Sequence, residues 1–242
     1  MRICIVTDNE FIFFEFLKII EEKNQKEWKF DFFYSVDCLE SEQKFGHLNI
    51  CHPIRLNEQN EDFFCLYDLF FSMHCKQIFP NELVLNHRCI NIHPGYNPYN
   101  RGWYPHVFSI INKYPSGVTI HEMDLELDHG AVIFQQEVPI YECDTSLEVY
   151  SRIQKCEVEM LREYLEKLVI GEYETYHIEN KGNLNYKKDF EKLCEIDLHQ
   201  SATYGEMIDF LRATTFKGYN NAYFYGSDGK KVYVNIELIK EC

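Results

Sequence analysis

Apolar residues run from Ile3 to Val6 and give way to Thr7-Asp8, the pattern of a short buried strand over residues 2–8. From Phe11 to Lys23 the apolar positions recur at helical spacing, and Phe30 to Ser35 predicts a second strand. Residues 37–66 follow neither period. Asp68-Leu-Phe-Phe-Ser72 and Cys89-Ile-Asn-Ile-His93 are two further buried-strand patterns, with a short helix-like piece between them that runs up to Pro80. Strands alternating with helices favour a mainly parallel sheet covered on both faces.

The second half begins with a loop from Gly95 to Gly102, rich in Asn, Pro and Gly. His106 to Asn112 predicts a short helix. Gly117 to Asp124 and Ala131 to Ile140 predict two strands flanking a turn at Asp128. Thr145-Ser-Leu-Glu148 is a capping-box pattern. It opens an amphipathic helix through Leu147, Tyr150, Ile153, Leu161, Leu165 and Leu168, closed at Gly171. Beyond about residue 180, Thr203 to Thr214 predicts a helix. Asn221 to Gly226 and Lys230 to Leu238 predict a hairpin around Ser227-Asp-Gly229. The expected fold is α/β, a Rossmann-like, mainly parallel sheet over residues 1–180 with helices on both faces. A small C-terminal helix and β-hairpin subdomain is expected over residues 181–242.

Charge and cysteine usage narrow the function classes. The 242 residues carry 24 basic and 39 acidic side chains, a formal charge of −15. That balance argues against non-specific nucleic-acid binding, which needs basic surface. No apolar run could span a bilayer, and the run Ile3 to Val6 is too short for a signal peptide, so a cytoplasmic protein is expected. The ten cysteines are scattered with no C-x-x-C pair, which predicts reduced thiols and no metal site. The first glycine is Gly46, so the turn after the first strand lacks a glycine-rich phosphate cradle. NAD-type and P-loop chemistry are excluded at that position. No G-x-S-x-G elbow occurs either.

Three polar residues stand where chemistry is expected. His93 ends a buried strand, where open α/β sheets place their ligands, and an imidazole there can accept a proton near neutral pH. Asn91 lies two residues upstream and emerges on the same strand face; its amide can donate to an oxygen that gains charge during attack on a carbonyl. Asp128, in a turn beside Gly130, can hold an imidazolium or pass a proton. Each also has a structural reading, as a hydrogen-bonded strand-end histidine, a capping asparagine and a turn aspartate. Together the trio suits transfer of an acyl-like group onto an amine.

The stretch that carries them resembles the catalytic domain of the folate-dependent formyltransferases. That family shows an Asn-x-His at a strand end, then a loop with Pro and Gly, then a G-V-T-I-x-x-M-D-x-x-L-D-x-G segment. Here these read Asn91-Ile-His93, Tyr96-Asn-Pro-Tyr-Asn-Arg-Gly102 and Gly117-Val-Thr-Ile-His-Glu-Met-Asp-Leu-Glu-Leu-Asp-His-Gly130. One departure is His129, where the methionyl-tRNA branch usually has threonine. The run His93-Pro-Gly-Tyr-Asn-Pro-Tyr-Asn-Arg-Gly-Trp-Tyr-Pro105 and the tail Arg212-Ala-Thr-Thr-Phe216-Lys-Gly-Tyr219 are similar to the sugar N-formyltransferases. A tRNA substrate is not expected, for want of a basic C-terminal domain.

The resemblance implies 10-formyltetrahydrofolate as co-substrate and a dTDP-linked amino-dideoxy sugar as acceptor, with dTDP-4-amino-4,6-dideoxyglucose foremost. A 3-amino-3,6-dideoxy isomer, or hydrolysis of formyltetrahydrofolate by water, are the alternatives. It further implies that Asn91 stabilises the oxyanion, that His93 takes the amine proton and that Asp128 orients His93. Phe216 and Tyr219 are candidates to stack on thymine, or else belong to the subdomain core. Lys76 and Arg101 are candidates for the diphosphate, or else are solvated. Met73, Lys76, Ile78, Asp124 and Leu125 are expected to line the pterin slot. A homodimer through the C-terminal hairpin is expected, because an apolar strand such as Val232 to Ile236 would otherwise leave an exposed edge.

Overall fold

The computed structural model describes residues 1–241. Its first half runs β1 (Arg2–Thr7), α1 (Glu10–Lys23), β2 (Lys29–Ser35), α2 (Leu39–Phe45), β3 (Cys51–Ile54), α3 (Glu61–Phe64), β4 (Leu69–Met73), α4 (Asn81–Asn86) and β5 (Cys89–His93). The chain continues with β6 (Arg101–Gly102), α5 (Pro105–Asn112), β7 (Ser116–Glu122), β8 (Val132–Val138), α6 (Ser146–Ile170), β9 (Leu184–Asn185), α7 (Lys187–Leu193), α8 (Tyr204–Thr214), β10 (Tyr223–Tyr225) and β11 (Lys231–Tyr233). By compactness it divides into two units. One comprises Met1–His93, Thr119–Gln135 and Gln154–Glu179; the other comprises Pro94–Val118, Gln136–Ile153 and the chain from Asn180 onward. Among the described residues no helix is long and apolar enough to cross a membrane.

Seven strands form one sheet in the order β3-β2-β1-β4-β5-β7-β8. The pairings from β3 to β5 are all parallel, and β7 runs antiparallel to β5. The expected α/β, mainly parallel sheet is therefore present. β4 and β5 are buried at every position, so both faces of the sheet are covered there. That double burial is why apolar residues dominate both sequences. The strand order reverses direction between β1 and β4, the point at which open α/β sheets present a ligand crevice.

α1 is fixed at its start by Asn9, whose Oδ1 accepts from Ile12 N at 3.1 Å. Its buried stripe is Ile12, Phe13, Phe16 and Ile19, and the Phe13 ring meets Phe32 and Phe45 edge-on at 5.3 and 5.4 Å. Just past β1, the Asp8 carboxylate accepts from Ser35 N (2.9 Å), Ser35 Oγ (2.6 Å) and Lys76 N (2.7 Å). One side chain thus ties together the ends of β1 and β2 and the turn after β4. The nine cysteines among the described residues are all free. Burial pushes the thiols of Cys51 and Cys89 up to about 12, so they stay protonated and pack as small apolar groups.

In the second unit β6 pairs with β9 through Arg101↔Leu184 and Gly102↔Asn185. Asn100 is fully buried at φ 52°, and its Oδ1 accepts from the side-chain amides of Asn112 (2.9 Å) and Asn183 (2.8 Å). Gly102 is required at φ 86°, because a Cβ there would lie 2.4 Å from Asn185 O. β10 and β11 form an antiparallel hairpin.

Several local expectations change. No helix leads up to Pro80; an irregular turn containing His74 at φ 57° leaves β4, and the helix begins after the proline, at Asn81. Proline biases the residue before it away from helix, so the break falls there. The last strand is shorter than Lys230 to Leu238. Past Tyr233 one more cross-strand bond follows, Val234 N to Ala222 O (2.9 Å), and Ile236 N then turns to Thr215 Oγ1 (3.1 Å). Residues 37–66 hold α2, β3, a 3-10 turn at Leu56–Glu58 and α3, each too short to show a period.

Candidate active site

β5 and β7 set the site. Their register places Asn91 opposite His121 and His93 opposite Thr119. Asn91 and His93 share a strand face, and directly opposed residues of an antiparallel pair lie on the same side. The turn between β7 and β8 then brings in Asp128. It sits in the left-handed region at φ 49°, a conformation aspartate tolerates better than most residues. Gly130 lets that turn close, since a Cβ on it would lie 1.8 Å from Glu122 O.

The sequence-derived trio meets directly. Asn91 Nδ2 donates to Asp128 Oδ1 at 2.8 Å, and His93 Nδ1 lies 3.4 Å from Asp128 Oδ2. His93 and Asn91 are 3% and 9% exposed, so these contacts sit away from bulk water, where charge interactions are strong. One carboxylate therefore holds an amide and an imidazole at once. Nδ1 is the His93 ring nitrogen turned to Asp128.

Two histidines escaped the sequence reading. His121 Nδ1 lies 2.8 Å from Glu122 O, and its Nε2 lies 3.2 Å from Asn91 Nδ2 and 3.9 Å from Asp128 Oδ1. Burial holds its imidazole below the ordinary range, against the pull of Asp128. The signal was a histidine inside an apolar strand; its relevance needed the strand register. His74 Nε2 meets the fully buried Glu157 at 2.8 and 2.9 Å. Burial raises the Glu157 carboxyl while His74 opposes that shift. This pair braces the segment from Met73 to Ile78.

The binding candidates are spread over both units. Met73 is fully buried at the end of β4, whereas Ile78 is 81% exposed. Lys76 points its ammonium at Glu40 (2.8 Å) and Cys38 Sγ (3.1 Å). Asp124 pairs with His129 at 2.7 Å and accepts from Glu126 N at 2.9 Å, beside the exposed Leu125. In the second unit Arg101 is buried. Phe216 packs near Tyr150 (6.0 Å) and Tyr219 (5.6 Å), and Tyr219 is exposed.

Comparison with known proteins decides the family. Residues 65–165 match the formyl transferase family, and residues 189–240 match the N-formyltransferase dimerization C-terminal domain. A dTDP-4-amino-4,6-dideoxyglucose formyltransferase from Mycobacterium bovis is 47% identical over 175 residues, covering 72% of this chain and 75% of that protein. The chain belongs to the formyltransferase family. Like its relatives, this formyltransferase is an enzyme, a transferase with the Rossmann-like fold of the family. A 4-N formyltransferase from Francisella tularensis superposes with a TM-score of 0.93 at 42% identity, over 99% of this chain and 98% of that one. A sugar N-formyltransferase from Shewanella sp FDAARGOS_354 gives 0.94 at 41% identity, over 100% and 99%.

Proposed function

We propose that this formyltransferase moves the formyl group of 10-formyltetrahydrofolate onto the 4-amino group of dTDP-4-amino-4,6-dideoxyglucose. The observation that carries the chemistry is the contact of Asn91 and His93 with the single carboxylate of Asp128, at 2.8 and 3.4 Å. The 47% identity to the Mycobacterium bovis enzyme supports the choice of acceptor.

The neutral sugar amine attacks the formyl carbon, forming the new C–N bond and a tetrahedral oxyanion. His93 Nε2 takes the proton the amine loses, while Asp128 steadies the resulting imidazolium through Nδ1. Asn91 gives one amide hydrogen to the oxyanion. As the bond to folate N10 breaks, the proton passes from His93 to that nitrogen, which leaves as tetrahydrofolate. The amine is itself the nucleophile, so this sequence contains no covalent enzyme intermediate.

In this reading Phe216 and Tyr219 stack on thymine, and Arg101 and Lys76 hold the diphosphate, Lys76 exchanging Glu40 for phosphate. Met73, Lys76, Ile78, Asp124 and Leu125 line the pterin slot. Residues 1–180 act as the catalytic domain, and residues 181–242 as a C-terminal subdomain. The enzyme works in the cytoplasm and supplies a formamido sugar to surface-glycan synthesis such as lipopolysaccharide O-antigen.

Purified protein, 10-formyltetrahydrofolate and a panel of dTDP-amino sugars, followed by mass spectrometry, test the reaction. The expected product is the 4-amino sugar heavier by one formyl group. Preference for a 3-amino sugar would move the acceptor position. Formate release at the same rate without any sugar would replace transfer by hydrolysis.

The C-terminal hairpin leaves Tyr225, Val232 and Tyr233 between 43% and 48% exposed, and it lies within the match to the dimerization domain. These apolar faces support a homodimer. Light scattering on the eluted protein is expected to give twice the chain mass of 29.0 kDa, and a monomer mass would refute the dimer.

A further inference from the structure

His121 has no part in the chemistry above, yet it touches the group that does. We propose that His121 is a positioning residue for formyl transfer: as a neutral acceptor it fixes the amide of Asn91 so that one N–H holds Asp128 and the other stands ready for the oxyanion. This rests on the roles given above to Asn91, His93 and Asp128.

The polarity of the network follows from its two ends. Glu122 O is a backbone carbonyl and only accepts, so His121 Nδ1, 2.8 Å away, carries the hydrogen. In the neutral ring Nε2 is then a lone-pair acceptor. At the other end the Asp128 carboxylate also accepts, so the amide of Asn91 turns its nitrogen to Oδ1 at 2.8 Å. The second hydrogen on that nitrogen points to His121 Nε2 at 3.2 Å. Flipping the amide would set its oxygen against both a carboxylate and a lone pair. Protonating His121 would set N–H against N–H. A main-chain carbonyl thus selects the tautomer, the tautomer selects the amide orientation, and the amide orientation presents a donor.

Neutrality of the ring is built into the surroundings. His121 is 1% exposed, and burial disfavours its charged form. The ionisable groups facing it are Asp128, Asp124 and His129 from the turn, Glu122 beside it on β7, and His93 on β5, whose ring lies 6.5 Å away. The two amide contacts are unequal. The longer one, to a neutral nitrogen, is the one to release when a formyl oxygen acquires charge, since a hydrogen bond to an oxyanion is shorter and stronger.

Two substitutions test this, His121→Phe and His121→Gln. Phenylalanine keeps a ring and removes the acceptor. Glutamine can set an amide oxygen near the position of Nε2. For each, kcat and the KM for both substrates are measured by product mass spectrometry. Folding is followed by thermal melting, and binding of dTDP and of folinic acid by calorimetry. His121→Phe is expected to lower kcat by about tenfold or more with both KM values and both affinities little changed. His121→Gln is expected to recover most of the loss. Unchanged kcat in His121→Phe overturns the proposal, as does a change confined to KM, or equal impairment of both variants. If His121→Phe does not fold, His121→Gln decides alone: near-native kcat supports the acceptor role, and a kcat as low as about a tenth of native opposes it. An active His93→Asn would instead bring down the catalytic roles beneath this proposal. The two failures are therefore distinguishable.

Discussion

Replacing His93 by asparagine is expected to lower kcat by about a thousandfold, within the range set by loss of a positioned general base. A thousandfold corresponds to about 4 kcal/mol of transition-state stabilisation. The substitution is chosen for what it keeps. The asparagine Nδ2 stands close to where Nδ1 was and can still donate to Asp128, so the carboxylate stays paired. What disappears is Nε2, the nitrogen assigned to the amine proton. Thermal melting should therefore change little while formylated sugar nearly vanishes from the mass spectrum. Turnover within about tenfold of native would show that the proton goes elsewhere.

Alanine at Gly130 is expected to damage stability and catalysis together. Its Cβ would lie 1.8 Å from Glu122 O, 2.8 Å from Glu122 C and 3.2 Å from Asp124 N. All three are backbone atoms, so no flexible side chain can move aside and the turn itself must shift. The cost should reach about 3 kcal/mol, the upper end for overpacking a tight site. Glu122 O is also the acceptor for His121 Nδ1, and Asp128 stands two residues from the substitution. The same displacement should then pull apart the contacts among Asn91, His121 and Asp128 and depress kcat in whatever fraction remains folded. A Gly130→Ala variant that melts and turns over like the native protein would contradict this account of the turn.

The sheet was legible where burial was complete. β1, β4 and β5 are buried on both faces along nearly their whole length, so apolar residues dominate their sequences, and α1 shows its single buried stripe plainly. Residues 37–66 were not legible because α2, β3 and α3 have seven, four and four residues, too few for a period to emerge. α7 was missed for a related reason: none of its residues is buried, so it has no apolar stripe to read. In the site, Asn91, His93 and Asp128 stood out because polar groups at a strand end and in a tight turn are uncommon company for apolar runs. His121 did not, because its meaning lies in a cross-strand register that no local spacing records. His74 and Glu157 are 83 residues apart and meet only through the fold.

Asp8 has a further bearing on how any nucleotide can be held. Its carboxylate already accepts three hydrogen bonds at the tip of β1, from two residues of the chain. A phosphate brought to within 4 Å of it would face repulsion of about 4 kcal/mol at the effective dielectric typical near a protein surface. The immediate surroundings of that carboxylate are thereby unfavourable to a phosphate. Removing the charge, as in Asp8→Asn, would first weaken the bonds to Ser35 and Lys76 that tie the strand ends together, so the scaffold would suffer before any new berth opened.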